Sequence, residues 1–299
     1  MRNKSKIIPL VCLAVLTAVL VTGCVKKQSY AEVSPDIADS FPIKAEPAEN
    51  PQLVESDGPY AILHTTAGDV TILLYPEQAP KAVENFIGLA KEGYYNGSLF
   101  YYAKRGELTQ GGKPGDPEAE ERSLWGDPFE DEVDNGLYHF KGAVAMAGDG
   151  GNTRNSNLSQ FYLLVREEIP EDDRIIPANC YMNDLMNLRL KDLEELGKEK
   201  ELSKEEIQKF EEDLNKEIQA IATDGIPSEY EAKYAPVAAR YSQVGGAWGL
   251  DYGHTVFGQI VEGLNVAEAI TQVKVSAEER KPKKDVVIES VEIVDKIIE

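Results

Sequence analysis

The chain moves between two hydrophobic rhythms. "YAILHTTAGDVTILLY" (60–75) carries two strand-like runs on either side of Ala67-Gly68-Asp69, which predicts a hairpin. In "APKAVENFIGLAKEGYY" (79–95) the spacing turns helical: Val83, Phe86, Ile87 and Ala90 share a face, Pro80 suits a first turn and Gly93 the stop. Strands are expected over 98–104, 142–148 and 159–165, with a Gly/Pro-rich loop over 111–128. Two helices are expected next, over 183–200 and 203–225. Ser203 and Glu206 read as a capping box, Ile207, Phe210, Leu214, Ile218 and Ile221 as one apolar stripe, and Gly225 as the C-terminal cap. These two helices are expected to form an antiparallel hairpin laid on the body. Strand-like segments return at 254–261 and 285–294, with a second core helix at 265–273. The order predicts a mostly β protein: a closed antiparallel barrel capped by two helices, since closure removes exposed sheet edges.

The N-terminus follows different rules. Arg2, Lys4 and Lys6 precede an apolar run from Ile7 to Val21, and Val21-Thr22-Gly23-Cys24 follows. A basic head, an apolar core and small residues before a boundary describe a secretory signal peptide over 1–23. The apolar run of about 15 residues is short for a membrane span of ~20. A cysteine directly after the boundary resembles the bacterial lipobox, in which Cys24 receives lipid and becomes the first mature residue. Residues 24–57 show no apolar periodicity and many acidic and small residues, and read as a lipid-anchored flexible tether. Random-coil scaling gives it a reach of roughly 30 Å. The body, 58–299, is then expected at the outer face of the cytoplasmic membrane.

Charge and cysteine content narrow the partners. The formal net charge is −21, and removing the leader's three positive charges leaves −24. So acidic a chain is repelled by nucleic-acid phosphates and by anionic headgroups, so lipid on Cys24 must hold it at the membrane. Of three cysteines, Cys12 leaves with the leader and Cys24 carries lipid, so only Cys180 remains and no internal disulfide forms.

Five segments together resemble the cyclophilins, a barrel family of peptidyl-prolyl cis-trans isomerases. They are "NGSLFYYAKRGELTQGG" (96–112), "WGDPFEDE" (125–132), "KGAVAMAG" (141–148), "SQFYLLV" (159–165) and "LDYGHTVFGQIVEGLNVAEAI" (250–270). The resemblance runs from about 60 to 295, interrupted by a helical insertion at about 166–240, and implies an eight-stranded cyclophilin-like barrel. It also implies rotation about X–Pro bonds, whose barrier of ~18–20 kcal/mol comes from C–N double-bond character. Such catalysis needs an apolar slot for the proline ring, groups that hold the flanking backbone, and a donor aimed at the imide nitrogen. It needs no metal or cofactor. The implied partners are proline-containing segments of secreted or unfolded proteins, and the chain is expected to act as a monomer.

Carried over by position, Gln110 is implied as the backbone-binding glutamine and Ala147 as part of the strand that pairs with an extended peptide. Gln160 and Tyr162 match the family's Gln-Phe-Phe strand, with Tyr162 as the slot floor. Leu108, Leu250 and His254 match wall residues, and Trp248 stands one residue from the family's pocket tryptophan. The departures matter as much. Tyr102 takes the place of the catalytic arginine, Glu107-Leu108 replaces an apolar pair, and Gly148 replaces an asparagine. Tyrosine offers one neutral O–H where arginine offers a charged fork. The chain therefore reads as an isomerase of reduced activity or, alternatively, as a proline-binding chaperone. "GDGGNTRNSN" (148–157) lacks the calcium-loop pattern and reads as a turn-rich loop near the groove. No paired His or Cys spacing suggests zinc.

Overall fold

The computed structural model describes residue 52 and residues 58–114, 116, 118–148, 157–172, 174–200 and 202–295. The leader, Cys24, most of the expected tether and the greater part of loop 148–157 lie outside the described residues. Those described fall into two compact units. One comprises Glu49–Ile169 with Arg240–Glu299, the other Pro170–Ala239.

The first unit is built on nine strands: β1 (Tyr60–Thr65), β2 (Gly68–Leu74), β3 (Ser98–Leu99), β4 (Tyr102–Lys104), β5 (Leu108–Gly111), β6 (Ala143–Met146), β7 (Phe161–Leu164), β8 (Val256–Glu262) and β9 (Val287–Val294). They form one sheet in the order β3-β9-β1-β2-β8-β6-β7-β5-β4, and every pairing is antiparallel. The fold is mostly β, as expected, but the closed eight-stranded barrel is corrected to a curled half-barrel of nine strands. The stretch 98–104, expected as one strand, is two: β3 pairs with β9 and β4 with β5, at the two ends of the sheet. Between them the Phe100 N–H donates to the Val286 carbonyl and the Tyr101 N–H to that of Gln110.

Both faces of the sheet are covered, which explains why β6 and β7 read as unbroken apolar runs. Alternate residues point to opposite faces. Val144, Met146, Phe161 and Leu163 join the main core with α1 (Pro80–Lys91) and α5 (Leu264–Thr271). Ala143, Ala145, Tyr162 and Leu164 join a second apolar cluster on the other face. In the main core Phe86 of α1 meets Phe161 edge to face at 5.4 Å.

Helix α1 has no side-chain cap of its own. The Glu132 carboxylate serves instead, accepting from the Lys81 and Ala82 amides at 3.1 and 3.0 Å. An anion there satisfies orphan N–H groups and the helix dipole together. Asn85, fully buried in α1, donates to the Leu158 carbonyl and accepts from the Leu124 amide, each at 2.7 Å, so one side chain fixes two loops. Gln52, within the stretch expected as tether, is buried. Its amide accepts from the Tyr138 N–H at 2.7 Å and donates to the Tyr138 carbonyl at 2.9 Å.

The second unit holds α2 (Ile175–Glu199), α3 (Lys204–Asp224) and most of α4 (Ser228–Val244). The expected hairpin is present: Leu185 packs on Leu214 with Phe210, Ile218 and Ile221 around them. Arg189 pairs with Glu217 and Lys200 with Glu206, so the two helices run antiparallel. Both halves of the Ser203–Glu206 capping box are made. Two expectations are corrected. The first helix begins at Ile175, and a third helix, α4, follows. Pro236 inside α4, a residue that normally interrupts a helix, hides it from periodicity.

Candidate active site

The β4–β5 hairpin places the first two candidate residues. Tyr102 stands directly opposite Gln110, and Gln110 in turn opposite Tyr162 of β7, which faces Ala145 of β6. Residues in register across neighbouring strands share a face, so Tyr102, Gln110, Tyr162 and Ala145 form one transverse row. The row lies on the face of the second apolar cluster. That cluster contains Tyr162 and Ala145, with Leu108, Ala147 and Leu250 packed against it. A floor and its apolar walls are thereby assembled from four separated segments.

Why β5 ends in Gly-Gly is also clear. Gly112 takes φ +90°, and a Cβ there would come within 2.6 Å of the Ser159 carbonyl, so only glycine lets the chain pass.

Tyr102 and Gln110 are both half-buried, and neither side chain has a hydrogen-bond partner among the described residues. Gln160 is committed: its Nε2 donates to Glu121 at 2.6 Å, and its Oε1 accepts from the Tyr101 hydroxyl. Burial, with the Glu121 charge nearby, pushes the Tyr101 phenol up to about 12, which keeps it a donor. Ala147 pairs with the Gln160 backbone, its N–H donating at 2.9 Å.

His254 is brought to the floor, its ring perpendicular to Tyr162 at 5.6 Å. Trp248 is placed differently. It lies in a 3-10 turn, Trp248–Leu250, edge-on to Tyr241 at 6.0 Å, and is not among the residues of the floor cluster. Glu107 sits in the β4–β5 turn against Lys104 at 2.5 Å and Arg166 at 3.8 Å. These two cations offset the cost of a carboxylate beside apolar walls.

Several residues at the site escaped notice in the sequence. Tyr101 and Glu121 lock Gln160. His139, Asp251 and Tyr241 form a buried polar chain under the floor: His139 Nδ1 lies 2.9 Å from Asp251 Oδ1, His139 Nε2 lies 2.7 Å from the Tyr162 hydroxyl, and the Tyr241 hydroxyl donates to Asp251 Oδ2 at 2.7 Å. Burial holds the Tyr162 phenol well above its usual range, so it stays an O–H donor. The one available signal was Asp251, adjacent to Leu250; nothing near His139 in the sequence pointed to it. Among the described residues no three His, Cys, Asp or Glu side chains gather as metal ligands, and no helix is long and apolar enough to cross a membrane.

A curled antiparallel sheet thus carries an apolar floor on one face, with two half-buried polar side chains in line with it. The family model for cyclophilin type peptidyl-prolyl cis-trans isomerases matches residues 60–178 and 241–293, leaving out most of the helical unit. The chain belongs to this family, cyclophilin type peptidyl-prolyl cis-trans isomerase/CLD. It is 32% identical to a Staphylococcus saprophyticus protein assigned as a peptidyl-prolyl cis-trans isomerase, covering 78% of this chain and 91% of that one. A Staphylococcus haemolyticus protein so assigned is 34% identical over 78% of this chain and 90% of its own length. A Streptococcus pyogenes protein assigned as a bifunctional phosphatase and peptidyl-prolyl cis-trans isomerase is 34% identical, but the chain spans only 39% of it.

Proposed function

We propose that the protein isomerises X–Pro bonds in secreted or unfolded proteins while tethered by lipid on Cys24 to the outer face of the cytoplasmic membrane. The observation that carries the catalytic part is the row Tyr102–Gln110–Tyr162 beside Leu108 and Leu250. In this reading the proline ring rests on Tyr162 between Leu108 and Leu250, and Gln110 holds the neighbouring backbone. As the C–N bond twists, its nitrogen regains a lone pair, and the Tyr102 O–H donates to it. That bond is stronger in the twisted state than in the planar one, so it accelerates rotation. No bond is broken and no cofactor takes part. Exchange NMR of a proline peptide with the full chain tests the reading; exchange no faster than the uncatalysed background refutes it.

Tyr102 itself favours a second reading, a groove that holds proline segments with little turnover. It predicts peptide binding by the parent without faster exchange, and exchange gained in Tyr102→Arg at unchanged affinity.

The placement at the membrane is supported by the basic head, the short apolar run and Cys24. Cells fed labelled palmitate are expected to label the parent and not Cys24→Ala. Equal labelling of both refutes anchoring at this residue.

A further inference from the structure

A tyrosine at the floor of an apolar slot brings a hydroxyl that must be satisfied, because a buried polar group without a partner is costly. The Tyr162 hydroxyl is satisfied by a residue from another segment. His139 is fully buried, its ring within 16° of parallel to that of Tyr162, and it places Nε2 2.7 Å from the hydroxyl oxygen. Its other nitrogen faces Asp251 Oδ1 at 2.9 Å. A carboxylate only accepts, so Nδ1 carries the proton toward Asp251; in the neutral imidazole this leaves Nε2 to accept from the Tyr162 O–H.

Asp251 is held in turn. The same Oδ1 accepts from the His139 backbone N–H at 2.7 Å, and Oδ2 accepts from Tyr241 at 2.7 Å. Asp251 directly follows Leu250, a wall of the slot, and precedes His254 by three residues. The backbones are clamped together as well. The Ala247 N–H donates to the His139 carbonyl at 2.8 Å, and Gly246, at φ +156°, approaches so closely that a Cβ would lie 2.2 Å from that oxygen.

We infer that His139, held by Asp251, is a positioning residue for substrate binding: it fixes the Tyr162 floor and ties it to the Leu250 wall. The inference rests on the reading of this groove as a proline slot. It gives His139 a task beyond filling the interior, since the side-chain link from the Tyr162 hydroxyl to Asp251 runs through its two ring nitrogens.

The test uses the full chain and the peptide Ala-Ala-Pro-Phe, comparing the parent, His139→Asn, Tyr162→Phe and the double variant. Asparagine keeps a donor near Asp251 but does not reach Tyr162, so it strands the phenol. Both Kd and KM are expected to rise about tenfold in His139→Asn while kcat stays within about threefold, because a floor contacts the proline ring equally in ground and transition states. Adding Tyr162→Phe removes the stranded hydroxyl and is expected to restore affinity to that of Tyr162→Phe alone.

Parental affinity in His139→Asn, or a double variant as weak as His139→Asn, overturns the inference; the second result leaves His139 a merely structural residue. Should His139→Asn fail to fold, 15N-histidine NMR of Tyr162→Phe decides, since the chain has only three histidines. One imidazole is expected to shift at Nε2 while keeping its Nδ1 proton, and three unchanged imidazoles overturn the inference. A parent that binds the peptide without isomerising it refutes the isomerase reading and leaves the affinity comparison intact. A parent that binds no proline peptide refutes both.

Discussion

Replacing Tyr102 by phenylalanine isolates the chemistry this groove is proposed to perform. The ring stays in β4 and one O–H is lost. Because Tyr102 stands directly opposite Gln110, the two Cβ atoms are ~4.5–5.5 Å apart on one face, close enough for both to reach one peptide. The hydroxyl has no partner to lose among the described residues, so the fold is expected to be unaffected. A neutral hydrogen bond contributes ~0.5–1.5 kcal/mol. At ~1 kcal/mol, its loss in the transition state slows isomerisation about fivefold. The converse change, Tyr102→Arg, introduces a charged donor of ~1.5–3 kcal/mol. Lys104, two residues along β4, is already paired with Glu107, so its charge is offset. A net gain of ~1 kcal/mol raises the rate roughly fivefold. Exchange NMR on a proline peptide reads both changes, with kcat expected to move and affinity to hold. An active parent whose rate is matched by Tyr102→Phe would falsify the assignment of the phenol as donor.

Three further outcomes are expected. Phe161→Ala removes a ring with no exposed surface that packs on Phe86 and Tyr95, and is expected to cost ~3–5 kcal/mol in urea unfolding followed on the sheet unit. Ser203→Ala breaks the capping box of α3 and is expected to cost ~1 kcal/mol, read as faster amide exchange at Glu206 and Ile207. The Glu206 carboxyl is itself held down to about 2, chiefly by Lys200, so its share is present above the ordinary 4.5 and disappears as pH falls through about 2. His64 is raised above 6.5, chiefly by its hydrogen bond to Asp69. Its contribution is complete below 6.5 and lost as pH climbs through the folded value, so the stability gap between parent and His64→Gln is expected to be wider at about pH 6 than at about pH 8. A gap that widens toward high pH would show the opposite coupling.

Much of the site was legible because it is written in short, contiguous strings. Gln110-Gly111-Gly112 marks the end of a strand where only glycine clears a neighbouring carbonyl, and Ser159-Gln160-Phe161-Tyr162 marks the strand paired with it. Leu108, Gln110 and Tyr162 lie on one face of the sheet, and Leu250 packs against the same apolar cluster. Trp248 does not join them, because its turn directs it onto Tyr241. The Glu107 carboxylate beside the slot was visible in the sequence. Its partner Arg166, two residues past the end of β7, was not.

What the sequence determined by itself is most of the elements: the first hairpin, the core helices, the capped helix α3 and the apolar strands. These follow from local sterics and from burial, which act on neighbouring residues. What only the tertiary structure decided is where distant segments meet. The stretch 98–104, which reads as one strand, supplies both end strands of a nine-stranded sheet. The junction of His139, Tyr162, Tyr241 and Asp251 joins residues up to 112 positions apart. No periodicity encodes such a junction, because buried polar groups find partners by three-dimensional proximity and not by spacing along the chain.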